Sequence, residues 1–242
     1  MSIYQNKIEL LHVKKSFGEV NVLKDISIHV KEGEVVALLG PSGSGKSTIF
    51  NLITNLIKPE EGEVNVHGKV SYMYQKDTMV PWKKVVDNIA LPLVFRGSKK
   101  REARKEVEGY LETFGLSGYG DKYPSMLSGG MKQRANFLKT YLTSNEIMLL
   151  DEPFGALDSM TRKKMQMWLL NVTRKINSSI LLITHDVEEA IFLSDRIYVL
   201  SDKPTHILGE VNVDLGNDRN EQTFLEDRFF EIRKEIACIL ES

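Results

Sequence analysis

The chain has 242 residues, of which 42% are hydrophobic and 27% charged, with a formal net charge of -1. That composition excludes a disordered chain and leaves room for a sizeable core, while the near-zero charge gives no general pull toward nucleic acid or anionic lipid. The lone Cys238 cannot form an internal disulfide and suits a reducing cytosol. No apolar run approaches the ~20 residues a membrane span needs, and the first residues lack a secretory pattern, so any membrane role is expected to come through a partner chain.

In chain order, residues 8–13 and 25–30 read as strands, the second alternating Ile26, Ile28 and Val30. A third, the apolar run 35–39, leads into Gly40-Pro41-Ser42-Gly43-Ser44-Gly45-Lys46-Ser47-Thr48. Next comes an amphipathic run over 49–57, with Ile49, Leu52, Ile53, Leu56 and Ile57 on one face before Pro59 and Gly62 end it. Strand, glycine loop and helix together are the context of a phosphate-binding P-loop. The glycines let successive N–H groups turn toward an anion, and the helix start adds its positive dipole end. Lys46 is placed to reach the terminal phosphates and Ser47 to ligand Mg²⁺, so the chain is expected to bind a nucleoside triphosphate.

Residues 64–66 and 70–74 read as further strands, and from about 77 to 142 the pattern becomes mainly helical. Ser98 is a candidate cap for a helix with apolar positions Ala103, Val107, Leu111 and Phe114. Its basic residues interleave with Glu102, Glu106, Glu108 and Glu112, which favours a solvated face over a nucleic-acid patch. Ser128-Gly129-Gly130 then opens a helix, which makes it a second anion-seeking start or simply a capped one.

Strand 147–150 ends in Asp151-Glu152. Beside a P-loop strand this delivers Asp151 to the Mg²⁺ shell and Glu152 to an attacking water; alone, the two acids would only cap a helix. A helix burying Met165, Trp168, Leu169, Val172 and Ile176, strand 180–184, a helix with Val187, Ala190 and Ile191, and strand 197–200 follow. The alternation predicts a parallel sheet with helices on both faces and ligand at the strand C-terminal ends. A strand at 207–213 and a helix from about Thr223, with Leu225, Phe229, Ile232, Ile236 and Ile239 in a narrow seam, complete the chain. That seam suits packing on its own domain or pairing with another helix.

The order P-loop, Gln75, Leu127-Ser128-Gly129-Gly130, Asp151-Glu152, Ala156-Leu157-Asp158 and His185 resembles the nucleotide-binding subunits of ABC transporters, from Phe17 to about Leu208. The resemblance implies an α/β P-loop NTPase core with a mostly parallel sheet, an N-terminal antiparallel β region and a helical lobe. Its divisions would be 1–76 with 143–213 for the ATP-binding core, 77–142 for the lobe and 214–242 for a C-terminal helical extension. It also implies that Phe17 stacks on adenine, although by itself an aromatic there is more often a core residue. Gln75 would touch Mg²⁺ and the attacking water, Asp158 would lie at a dimer seam, and His185 would sit near the γ-phosphate. The cofactors would be ATP and Mg²⁺.

One chain holds two anion-seeking helix starts but a single P-loop and acid pair. A twofold, head-to-tail homodimer joining each P-loop to its twin's Ser128-Gly129-Gly130 would complete two sites. Met79-Val80-Pro81-Trp82, Tyr123-Pro124, Met131, residues 153–158 and residues 184–191 narrow the resemblance to the ATPases of nitrate, sulfonate and taurine importers, a group that includes thiamine-precursor carriers. Such a subunit would dock on two transmembrane permease subunits at the cytoplasmic face of the membrane, served by an extracytoplasmic solute-binding protein. Trp82 would then lie on the docking surface, or else in the core of the lobe. Residues 135–142, with Lys139 where Arg is common, depart from the group's usual pattern. The rival readings are a soluble ABC ATPase of an assembly complex, such as iron–sulfur cluster assembly, and a small P-loop kinase that would leave Ser128-Gly129-Gly130 unexplained.

Overall fold

The computed structural model describes residues 6–216 and 218–241; positions 1–5, 217 and 242 of the expected 1–76 and 214–242 segments lie outside the described residues. Nine strands are present among the described residues. They are β1 (Asn6–Phe17), β2 (Val20–Lys31), β3 (Val35–Leu39), β4 (Glu61–Val66), β5 (Val70–Met73), β6 (Ile147–Asp151), β7 (Ser179–Thr184), β8 (Arg196–Leu200) and β9 (Thr205–Asn212). They make one sheet in the order β4-β1-β2-β9-β8-β3-β7-β6-β5. β1 pairs antiparallel with β2 and β4, whereas β5, β6, β7, β3 and β8 are mutually parallel. β9 joins the two parts, antiparallel to β8 and parallel to β2.

The parallel strands are apolar at nearly every position because both faces are covered. Val36, Leu38, Leu149, Leu181, Ile183 and Leu200 face one side, where α1 (Lys46–Ile53) packs Ile49, Phe50, Leu52 and Ile53 beneath β1 and β2. The alternate residues Ala37, Leu39, Met148, Leu150, Leu182, Ile197 and Val199 face the other side. There they meet α2 (Val85–Ile89), α3 (Leu91–Phe95), α4 (Lys100–Tyr110), α5 (Gly129–Thr143), α6 (Ser159–Thr173), α7 (Val187–Leu193) and α8 (Asp227–Leu240). Each fully buried aliphatic side chain contributes about 1.5–3 kcal/mol. This two-sided core therefore fixes the strand ends from which the P-loop, Asp151 and His185 project. Phe114, Phe137, Tyr141 and Trp168 cluster with ring centroids 5.5–6.1 Å apart, tying α5 to α6.

Several local expectations need correction. α1 ends at Ile53 rather than running to 57, because Asn55 turns to φ 56; Ile57 still packs on the core, but Leu56 is exposed. The cap of α4 is Lys99, without a side-chain cap bond, rather than Ser98. α4 stops at Tyr110, so Phe114 reaches the core from the following turn. At the C-terminus Leu225 lies in a short 3₁₀ turn and is exposed, while Phe229, Ile232 and Ile236 of α8 are buried against their own domain. The charged face of α4 is solvated and partly paired, with Arg104 and Lys100 on Asp87.

Candidate functional site

The P-loop is a backbone structure held by close packing. A Cβ on Gly40 would lie 2.9 Å from Leu200 Cβ, and one on Gly45 would lie 2.8 Å from Val22 Cγ1. Gly43 and Gly45 also sit at φ 83 and 89, where side chains are strained. Gly45 caps α1 without a side-chain acceptor, so the first helical N–H groups remain available to an anion. Thr205 of β9 donates its hydroxyl to Ser44 O, fastening the loop from beneath. Ser44 Oγ is buried with no partner among the described residues.

Lys46 is nearly buried, and its ammonium donates to Gly40 O at 2.8 Å and Pro41 O at 2.6 Å. Burial holds its pKa below the usual lysine range, against the opposing pull of Glu152 and Asp151. A cavity of about 400 Å³ opens above, lined by Ser42, Gly43, Lys46, Ser47, Thr48, Gln75, Asp151 and Glu152 among others. Residues of the P-loop, Gln75 and both strand-end acids thus meet around one space.

The acids arrive from β6. Burial pushes the Asp151 carboxyl up, the Tyr72 hydroxyl opposes that shift by donating to its Oδ2 at 2.8 Å, and the charge of Glu152 adds to it. Glu152 leaves the strand at φ 42 with its N–H on Ile183 O at 3.0 Å. This uncommon backbone geometry turns its carboxylate toward two partners. Gln75 Nε2 donates to Glu152 Oε2 at 2.9 Å, and His185 Nδ1 lies 3.4 Å from Oε1. Gln75, Glu152 and His185 come from the ends of β5, β6 and β7, adjacent strands of the sheet. Ser47, Gln75 and Asp151 present oxygen donors to the cavity, a set that fits a hard divalent cation completed by phosphate oxygens and water.

Other candidates stand apart from this cavity. Phe17, at the end of β1, is half-exposed with Lys15 Nζ 5.4 Å above its ring, which corrects the alternative of a core aromatic. Ser128 caps α5 by accepting from Met131 N at 3.3 Å, and Asp158 caps α6 by accepting from Thr161 N at 3.0 Å. Gly129 lines a neighbouring cavity of about 460 Å³ with Gln133, Gly155 and Leu157, and Gln75 lines both this one and the P-loop cavity. Within one chain, Ser128, Gly129, Gly130 and Asp158 do not reach the P-loop cavity.

Four contributors were missed from the sequence. Tyr72 lies two residues before the end of an assigned strand, where nothing in the sequence reveals that its hydroxyl meets a residue 79 positions on. Lys203 lines the P-loop cavity from the β8–β9 loop. Lys139, the departure noted above, donates to Thr78 O at 3.3 Å, and Asn136 donates to Asp77 Oδ1 at 3.2 Å. These two residues tie α5 to the segment after Gln75, and the unusual α5 sequence thereby has a structural use.

Trp82, an alternative core residue of the lobe, is 78% exposed and Phe95 is 83% exposed. The loop presenting Trp82 is rigidly held, because fully buried Asn88 accepts from Val80 N and donates to Val80 O and Lys83 O at 2.7–3.0 Å.

Residues 23–155 match the family model described as ABC transporter. The chain is 43% identical over 223 residues to the formylaminopyrimidine import ATP-binding protein ThiZ of Halalkalibacterium halodurans, covering 90% of each. It is 38% identical to the nitrate import ATP-binding protein NrtD of Synechocystis sp., covering 92% of this chain and 89% of that protein. Among solved structures, the dimeric structure of MJ0796, a bacterial ABC transporter cassette, superimposes with a TM-score of 0.73 at 31% identity, covering 85% of this chain and 98% of that one. A P-loop, a strand-end acid pair and a glycine-opened helix on this sheet, with those relatives, lead to one conclusion: the chain belongs to the ABC transporter family, among its ATP-hydrolysing cassettes.

Proposed function

We propose that the chain is the ATP-hydrolysing subunit of an importer for a small anion or organic solute, working as a head-to-tail homodimer on two permease subunits. The observation that carries it is the convergence of Lys46, Gln75, Asp151 and Glu152 on one cavity, with His185 against Glu152 from the next strand, while Ser128, Gly129 and Gly130 do not line that cavity. The relatives are named for import of nitrate, formylaminopyrimidine and taurine, which supports that solute class. The ATPase itself has no part in contacting the solute. Exposed Trp82 and Phe95 supply apolar surface that a membrane partner would cover. No helix among the described residues is long and apolar enough to cross a membrane, so attachment to one would come through that partner. The division into 1–76 with 143–213, 77–142 and 214–242 belongs to the same proposal.

In this reading the P-loop N–H groups and Lys46 bind the phosphates, and Phe17 offers its open face to the base. Ser47, Asp151 and Gln75 would hold Mg²⁺, which neutralises phosphate charge when bound. Glu152 takes a proton from the attacking water, Gln75 orients that water and the carboxylate, and His185 steadies the charge on the departing phosphate. Ser128, Gly129, Gly130 and Asp158 of a second copy would close the site.

The reading is tested by purifying the tagged chain from its own cells and measuring ATP hydrolysis and what accompanies it. Recovery from the membrane fraction with a two-copy permease, and loss of that recovery in Trp82→Ala, is expected. A purely soluble multiprotein complex would replace import with an assembly role.

A further inference from the structure

Behind the catalytic cavity lies a second, much smaller one of about 10 Å³, lined by Glu152, Arg162, Thr184, His185, Asp186 and Glu189 among others. That is about the space one water requires. Two of its lining groups carry buried polar atoms with no partner among the described residues, Arg162 Nε and Glu189 Oε1. Buried polar atoms are normally satisfied, and an unpartnered N–H donor and carboxyl oxygen on two residues lining one water-sized space are what a bridging water would satisfy.

The connections on either side give this pair a direction. Arg162 Nη2 donates to Leu157 O at 3.2 Å, and its Nη1 lies 3.7 Å from Asp186 Oδ2. Leu157 is the residue that Gly129 packs against, a Cβ there lying 3.0 Å from Leu157 Cδ2. Asp186 follows His185 and caps α7 by accepting from Glu189 N at 3.1 Å. Glu189 Oε2 faces Gln166 Nε2 of α6 at 3.5 Å. A continuous path therefore runs from Gly129 through Leu157 and Arg162 to the segment carrying His185. We propose that Arg162 and Glu189, bridged by one water, are positioning residues that pass the placement of the Gly129–Leu157 contact to His185. This rests on the functional reading above, in which His185 and Glu152 serve hydrolysis.

Glu189 is only 4% exposed. Burial first, then the charge of Asp186, pushes its pKa up to about 8, against hydrogen bonds from Thr184 and Gln166 and the charge of Arg162. His185 and Glu152 complete the titratable groups around the cavity. At neutral pH Glu189 is thus a neutral acid in the fold and an ionised one when unfolded. The native state loses stability relative to the unfolded state as pH rises from about 4.5 to about 8, then changes no further.

The test uses the full chain and three readouts: nucleotide affinity by fluorescence, kcat with KM, and melting temperature from pH 5 to 9. Arg162→Ala is expected to lower kcat about tenfold while ATP affinity stays within threefold. Glu189→Gln is expected to keep kcat at pH 7 within twofold and to melt above the parent, by a margin that widens up to pH 8 and is level beyond it. Unchanged kcat in Arg162→Ala, or affinity falling in step with kcat, would overturn the positioning role. A melting margin flat with pH, or lost turnover in Glu189→Gln at pH 7, would overturn the neutral water-bridged pair. A parent chain that binds ATP but never hydrolyses it would overturn the functional reading and the coupling role with it, while the melting margin would still decide the pair.

Discussion

The P-loop cavity and the Ser128 end of α5 are both glycine-lined helix starts, yet they stand in opposite states of completion. At the first, Gln75 and His185 each already touch Glu152, and Lys46 is folded onto Gly40 and Pro41 ready to turn to a phosphate. At the second, Ser128 and Asp158 use their oxygens to cap their own helices, and the cavity that Gly129 lines is shared with Gln75 but with neither Lys46 nor Asp151. A helix start alone binds an anion weakly. The difference is what the proposed head-to-tail dimer needs, in which the Ser128 end of one copy would close over the P-loop cavity of the other.

The sharpest way to separate the two regions is to disable the first without emptying it. Glu152→Gln is expected to cut turnover about 10³-fold, the usual scale for a lost general base, while ATP affinity persists; steady-state hydrolysis alongside nucleotide binding checks it. Undiminished turnover would move the base elsewhere.

Emptying the cradle comes next. Lys46→Ala removes charge-assisted bonds of about 1.5–3 kcal/mol, which corresponds to roughly 10- to 150-fold in affinity. Direct titration with labelled ATP reads this, and an unaltered affinity would remove Lys46 from phosphate binding.

Gly129→Asp probes the other region. Its carboxylate would crowd Leu157 and face a partner's phosphates, so hydrolysis is expected to fall at least about 30-fold while one chain binds nucleotide as before, on the scale of misplacing a reacting partner. Loss of binding in the isolated chain would instead place Gly129 in the cradle itself.

The smallest effect is expected from Tyr72→Phe. Losing one hydrogen bond to a carboxylate, about 1.5–2 kcal/mol, should weaken ATP binding roughly tenfold with Mg²⁺ present and leave it unchanged in a chelator. Equal weakening in both conditions would make Tyr72 a packing residue only.

How far the site could be read from sequence follows the same division. The P-loop, Asp151 and Glu152 were legible because glycine, lysine and paired acids at strand ends have few other uses, and the buried strands announced themselves as apolar runs. Tyr72 and Lys203 were not: Tyr72 meets Asp151 only because β5 lies beside β6, and Lys203 reaches the P-loop cavity from the β8–β9 loop. Asn55 at φ 56 cut α1 short, and no periodicity signal reports a single left-handed residue. The exposure of Trp82 depended on Asn88 bonding the backbone of its loop, a contact that an asparagine in a helical stretch does not reveal.

Sedimentation equilibrium of the Glu152→Gln chain, with and without ATP, tests the shared site most directly. A change from monomer to dimer on adding ATP, abolished when Gly129→Asp is added to the same chain, is the expected result. A monomer at saturating ATP, or a dimer indifferent to both ATP and Gly129→Asp, would contradict it.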